Sequence, residues 1–233
     1  MCHSVESPLE VLQKLKNPAS IVDEDDLCTA LEKAAIVLDN YSLDIENLLQ
    51  EFVTALFEVL PSDVSLENTE YLAIAQVNLL IRIGASGWGL VPSLIDAYDC
   101  GTVLRIFYYL LSAIINPTPL TFEQCLCCKD AFVQLAIAPN LFQKVKENLT
   151  DPYSLRLLGP LSLFLQTDII TSDDFMEIIT NGLQQSSDVP IVIDVIAYLL
   201  QHPSLGDLKE TLVTSFLMPD ILNQLQKDQS SDE

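Results

Sequence analysis

Apolar residues in this chain recur mainly at three- and four-residue spacing, the period of helices buried along one face. After Asp44, the residues Ile45, Leu48, Leu49, Phe52, Leu56 and Leu60 make one such stripe, which Pro61 stops. Strand-like alternation is scarce, and proline or glycine interrupts the pattern at intervals suited to short helices. A first helix over 5–16 ends at Asn17-Pro18, and the acidic run from Asp23 to Asp26 favours the positive end of a second, over 23–38. A third fits 44–60. Ser65 can cap a fourth over 66–83, which Gly84 terminates.

The remaining boundaries follow the same logic. Pro92 suits the first turn of a short helix to Tyr98, and Gly101 is read as a corner into a longer helix over 102–115. Thr121 with Gln124 has capping-box spacing for a helix to Ile137. Pro139, Pro152 and Pro190 open helices over 139–148, 152–166 and 190–202. Asp173 and Asp174 load the first turn of one ending at Gly182, and two more fit 205–217 and 219–226. The parse predicts an all-α chain of about thirteen modest helices joined by short turns. A single domain over 1–226 is expected, with 1–64 as an irregular N-terminal cap, 65–226 as repeat-like units and 227–233 as a disordered acidic tail.

Composition raises one alternative to a helical stack. Of 233 residues, 49% are apolar and only 19% charged, and the mean hydropathy is +0.32. Helices this apolar are buried on several sides or span a membrane. The longest uncharged apolar runs, 106–116 and 157–167, fall short of the roughly 20 residues that a span requires. The N-terminus has a Glu where a basic n-region would lie, so no signal peptide is expected. With six cysteines and no secretory cue, the expectation is an intracellular protein, cytoplasmic or nuclear, with reduced thiols.

Net charge narrows the partners. The balance is −22, and it is spread along the chain: 34–81 holds eight acids and 157–208 seven, neither with any Lys or Arg. Such a surface repels phosphate backbones and anionic lipid, so neither nucleic acid nor membrane is an expected partner. It keeps an apolar helical array soluble, and it attracts basic peptides or basic protein surfaces.

One stretch carries a family resemblance. Gly84-Ala85-Ser86-Gly87 precedes the short apolar segment Leu90-Val91-Pro92-Ser93-Leu94-Ile95; Asp99-Cys100-Gly101 then turns into Val103-Leu104. This small-residue break, short helix and glycine corner resembles a unit of the armadillo/HEAT family of α-solenoids. A unit of two helices can also be laid from Leu90, Pro139, Phe175 and Leu205, with starts drifting from 49 to 36 to 30 residues apart, against roughly 40 in a regular array. The resemblance implies a right-handed superhelical stack working as a non-enzymatic protein-binding module or adaptor, its concave groove taking a partner peptide or helix. Peptide-binding armadillo proteins often carry a Trp and an Asn one turn apart on the third helix. Here the only Trp is Trp88, in the break.

Candidate groove residues come from polar stripes at three-four spacing. They are Tyr71, Asn78 and Arg82; then Arg105, Tyr109, Ser112 and Asn116, with Thr102 before them; then Arg156 and Gln166; and Asp194, Tyr198 and Gln201. All three arginines of the chain lie on these stripes, and Arg with Tyr is the chemistry of interface hot spots. The competing reading has each arginine pairing with a carboxylate such as Asp99 or Asp151 and stapling adjacent helices. Of the aromatic run Phe107-Tyr108-Tyr109, Tyr109 is expected exposed and the other two in the core.

No reaction is signalled. There is no nucleophile elbow, phosphate loop or His-Glu-x-x-His, and both histidines, His3 and His202, stand apart from any partner set. Cys125 and Cys128 have one ligand-pair spacing but no matching second pair, so burial as small apolar residues is expected rather than a metal site. No catalytic residue, metal, cofactor or small-molecule substrate is therefore assigned. A competing class is a regulatory subunit that clamps a folded basic enzyme or chaperone domain through the acidic surface.

Overall fold

The computed structural model describes residues 91–97, 100–118, 122–186, 188–206 and 208–218, together with Glu10, Gln13, Ile74, Val77, Asn78, Leu80, Ile81, Trp88 and Gly89. Among these, regular structure is entirely helical. Eight α-helices exceed one turn: α1 Val91–Ala97, α2 Cys100–Ile115, α3 Phe122–Gln134, α4 Ile137–Glu147, α5 Pro152–Ser162, α6 Asp173–Gln185, α7 Val189–Gln201 and α8 Leu208–Leu212. A one-turn helix, Thr167–Ile170, precedes α6; a 3₁₀ turn, Pro203–Leu205, precedes α8; and a π-helical turn, Val213–Leu217, follows it. This differs from the thirteen expected. The helices predicted over 5–16, 23–38, 44–60 and 219–226 lie outside the described residues, save for helical Glu10 and Gln13. So do the predicted N-terminal cap and acidic tail.

The chain divides into two compact units, Met1–Asn140 and Leu141–Glu233, with the boundary inside α4. In the first unit, α2 packs on α3, and Phe107 and Phe132 meet with ring centroids 6.3 Å apart. Trp88 is fully buried, and its indole N–H donates to the Leu80 carbonyl at 3.3 Å, which satisfies its one polar group. The Cys128 thiol reaches the Ile81 carbonyl at 3.7 Å.

In the second unit, α5 packs most extensively on α7 and also touches α6. The close approach occurs at Gly159, where a Cβ would stand 3.0 Å from Tyr198 Cδ2 and 3.1 Å from Val195 Cα. Phe142 and Phe175 join α4 to α6 at 5.7 Å between centroids, and Lys146 Nζ reaches Asp174 Oδ2 at 2.6 Å beside them. The caps are those the sequence chemistry favours: Asp151, Ser172 and Asp188 accept from Tyr153, Phe175 and Ile191 amides respectively.

Three predicted boundaries are corrected. Gly101 is not a corner but sits in the first turn of α2, where no intrahelical bond depends on its amide. Gly182 does not end α6, which continues to Gln185; the glycine instead admits Leu155, whose Cδ1 would lie 2.9 Å from a Cβ there. The helix predicted over 152–166 stops at Ser162. Pro160 has no N–H for the α-helical ladder, and afterwards Leu163, Phe164 and Leu165 donate three residues back, to Pro160, Leu161 and Ser162. Among the described residues no single helix is long and apolar enough to cross a membrane.

Candidate functional site

Helix α2 carries the best-formed candidate surface. Val103, Leu104, Ile106, Phe107, Leu110, Leu111 and Ile114 are buried. From Gly101 onward the residues that keep some exposure are Gly101, Thr102, Arg105, Tyr108, Tyr109, Ser112, Ala113, Ile115 and Asn116, while Cys100 at the first position is half-buried too. At 100° per residue these nine fall within one arc of about 160°, with Arg105, Ser112 and Asn116 at its centre. From Gly101 onward neither set interrupts the other; Cys100, the first residue of the helix, falls on the buried side between Phe107 and Leu111. Tyr109 is half-buried as well as Tyr108, and the two rings meet edge to face at 5.0 Å, so Tyr108 is not the core residue that was expected. The Ser112 hydroxyl donates to the Tyr108 carbonyl one turn back at 2.8 Å. Asn116 ends the stripe in full exposure, its amide donating to the Ser112 carbonyl.

The stripe at residues 71–82 is described only at Asn78, which is helical and exposed; Tyr71 and Arg82 lie outside the described residues.

In the second unit Arg156 behaves as a staple. Its Nη2 lies 3.7 Å from Asp188 Oδ2 at the start of α7, and its guanidinium sits 5.5 Å from the Tyr153 ring centre. Nε is buried without a hydrogen-bond partner. The partner among the described residues is the carboxylate that also caps α7; Asp99 lies outside them. A pair this long and this exposed contributes little by itself. Gln166 does not share a face with Arg156, because α5 ends between them; it flanks the one-turn helix as its N-cap.

On α7, Asp194 and Gln201 share the exposed face with Pro190 and Ala197. Gln201 Nε2 donates to the Ala197 carbonyl at 3.2 Å. Tyr198 lies at the edge of that face and is half-buried against Gly159, so its ring is largely a packing element.

Two features escaped the sequence reading. One is a cavity of about 130 Å³ between α5 and α6, lined by Leu149, Ser154, Leu155, Leu158, Ile178, Asn181, Gly182 and Gln185. A glycine inside an amphipathic helix is its sequence signal, since such a glycine often marks close approach. The other is Asp188: an Asp two residues before a proline is an N-cap signal that also fixes a negative charge.

The cysteines divide by exposure. Cys125 and Cys128 are buried and Cys127 is exposed. The Cys128 thiol is pushed up to about 12, first by burial and then by Cys125 and Cys127 beside it. No group of three or more metal-ligating side chains occurs among the described residues. Compared with known proteins, the chain matches no family model, no curated protein and no solved structure.

Proposed function

We propose that this protein is a non-enzymatic interaction module or adaptor whose helices form an armadillo/HEAT-like right-handed stack and bind a partner peptide or helix. The observation that supports this reading is the division of α2, from Gly101 onward, into a buried face and one continuous half-exposed face bearing Arg105, Tyr109 and Ser112, with exposed Asn116 just past its end. A rigid helix backed by core on one side presents these groups already ordered, so binding requires little further loss of side-chain freedom. Arg and Tyr supply a planar donor set and a stiff aromatic surface, both suited to a peptide backbone and its polar groups. The partner would carry acidic or polar groups toward the arginine and basic residues toward the acidic surroundings.

The test is an affinity pull-down from cell extract with wild-type protein, Arg105→Glu and Tyr109→Ala, each at low and high salt. The expected result is a partner lost with both variants, at unchanged helical content by circular dichroism, and only modestly weakened by salt. A partner retained after reversal of Arg82, Arg105 and Arg156 together would rule the surface out. The net charge of −22 favours a second reading, a regulatory subunit clamping a folded basic enzyme or chaperone domain. That interaction would ignore Arg105→Glu and fall steeply with salt.

A further inference from the structure

His202 stands at a joint. Its backbone N–H donates to the Leu199 carbonyl at 3.0 Å and so closes the C-terminal end of α7. Its ring Nδ1 accepts from the Ser204 amide at 3.2 Å and so caps the 3₁₀ turn Pro203–Leu205. The residue is buried, at 8% exposure. An acceptor at Nδ1 means that the neutral ring carries its proton on Nε2. Beyond the joint, Gly206 at φ +41° redirects the chain. The 3₁₀ turn, α8 and the π-helical turn then pack on α7, with Leu205 and Leu212 buried. The Ser204 hydroxyl also meets Thr167 Oγ1 at 3.1 Å.

We propose that His202 is a pH-sensitive latch: protonation at Nδ1 replaces the acceptor with a second N–H facing the Ser204 amide, and releases the strap formed by residues 203–218 from α7. Two N–H groups cannot bond each other, so the turn loses its cap in the same step that places a charge in a buried position. The ionisable groups on the surrounding elements are Asp194 and Tyr198 on α7, Asp168 on the one-turn helix, and Lys209 and Glu210 on α8. Asp207 lies outside the described residues. Burial first, and then the positive charge of Lys209, the one of these groups that acts on the imidazole, hold His202 below its ordinary 6.5. The latch is therefore closed at neutral pH. Below the ordinary imidazole pKa, opening becomes up to about tenfold more favourable per pH unit, until the folded-state pKa is reached.

Hydrogen exchange read as protection factors, between pH 7.5 and 5 on the full chain, tests this. The expected result is a selective loss of protection in the amides of residues 204–217 of the wild type as pH falls. In His202→Asn that acid dependence should disappear, because an Asn side-chain oxygen still caps the Ser204 amide and does not titrate. The ¹⁵N shifts of the wild-type ring give an independent readout and should show Nδ1 unprotonated at neutral pH. Equal acid sensitivity in His202→Asn, or a proton on Nδ1 at neutral pH, overturns the proposal.

Discussion

Gly159 of α5 packs against Tyr198 on α7, and a Cβ in its place would stand 3.0 Å from Tyr198 Cδ2 and 3.1 Å from the Val195 Cα. The second of these atoms belongs to the backbone and cannot rotate aside. Gly159→Ala is therefore expected to lower stability by about 1–2 kcal/mol, overpacking outweighing the gain in helix propensity. Gly182→Ala gives the opposite sign. The three atoms nearest its Cβ would all belong to Leu155, and only Cδ1, the end of a flexible side chain bordering the α5–α6 cavity, would be too close. Leu155 can turn into that space, so the propensity gain of roughly 1 kcal/mol survives in large part. Thermal or denaturant unfolding of the two variants reads both signs, and equal effects would refute the argument.

Ala136 follows α3 with φ +50°, its amide bonded to the Val133 carbonyl. A Cβ in this left-handed conformation crowds the carbonyl, and glycine is the residue usually found there. The side chain is exposed, so its removal forfeits no packing. Ala136→Gly should stabilise the protein by about 0.5–1 kcal/mol in denaturant unfolding. A loss of stability would show the site to be unstrained.

Asp188 performs two tasks that substitution can separate. Its Oδ1 accepts from the Ile191 amide at 3.3 Å, while Oδ2 faces Arg156 at 3.7 Å. Asn preserves the first and removes the second; Ala removes both. Because the ion pair is long and half exposed, Asp188→Asn should change stability by less than about 0.5 kcal/mol. Asp188→Ala should cost about 1 kcal/mol through the lost cap. If Asn proved as costly as Ala, the charge pair would be the stronger contact.

These contrasts show which parts of the architecture were readable from residue order. The buried and half-exposed faces of α2 follow its three-four spacing, because one helix repeats its own period whatever it packs against. The caps at Asp151, Ser172 and Asp188 rest on equally local chemistry, although the sequence parse did not assign them. Gly101 and Pro160 misled locally, and the other errors came where a distant residue decides the outcome. Gly182 reads as a stop until Leu155 is known to fill its side, and Arg156 has nearby carboxylates in sequence but meets one brought by the docking of α7 on α5. Tyr198 likewise sits in a polar stripe, yet it packs against a glycine that only tertiary structure brings to it.

Cys127 and Cys128 are adjacent in sequence and opposite in exposure. A thiol reacts as its thiolate, which requires both access and ionisation. Cys127 is exposed; Cys128 is buried against the Ile81 carbonyl with its thiol held near 12. Alkylation of the folded protein at pH 8, mapped by mass spectrometry, should modify Cys127 and spare Cys128 until denaturant is added. The same displacement sets an alkaline dependence. The folded pKa lies above the ordinary 9.0, so the stabilisation from keeping this thiol protonated is complete below about 9 and is lost as pH rises toward 12. Cys128→Ala removes the titrating group, so its stability should decline less steeply than the wild type's across that window. Parallel curves, or prompt alkylation of Cys128 at pH 8, would mean that the thiol is not shielded in solution.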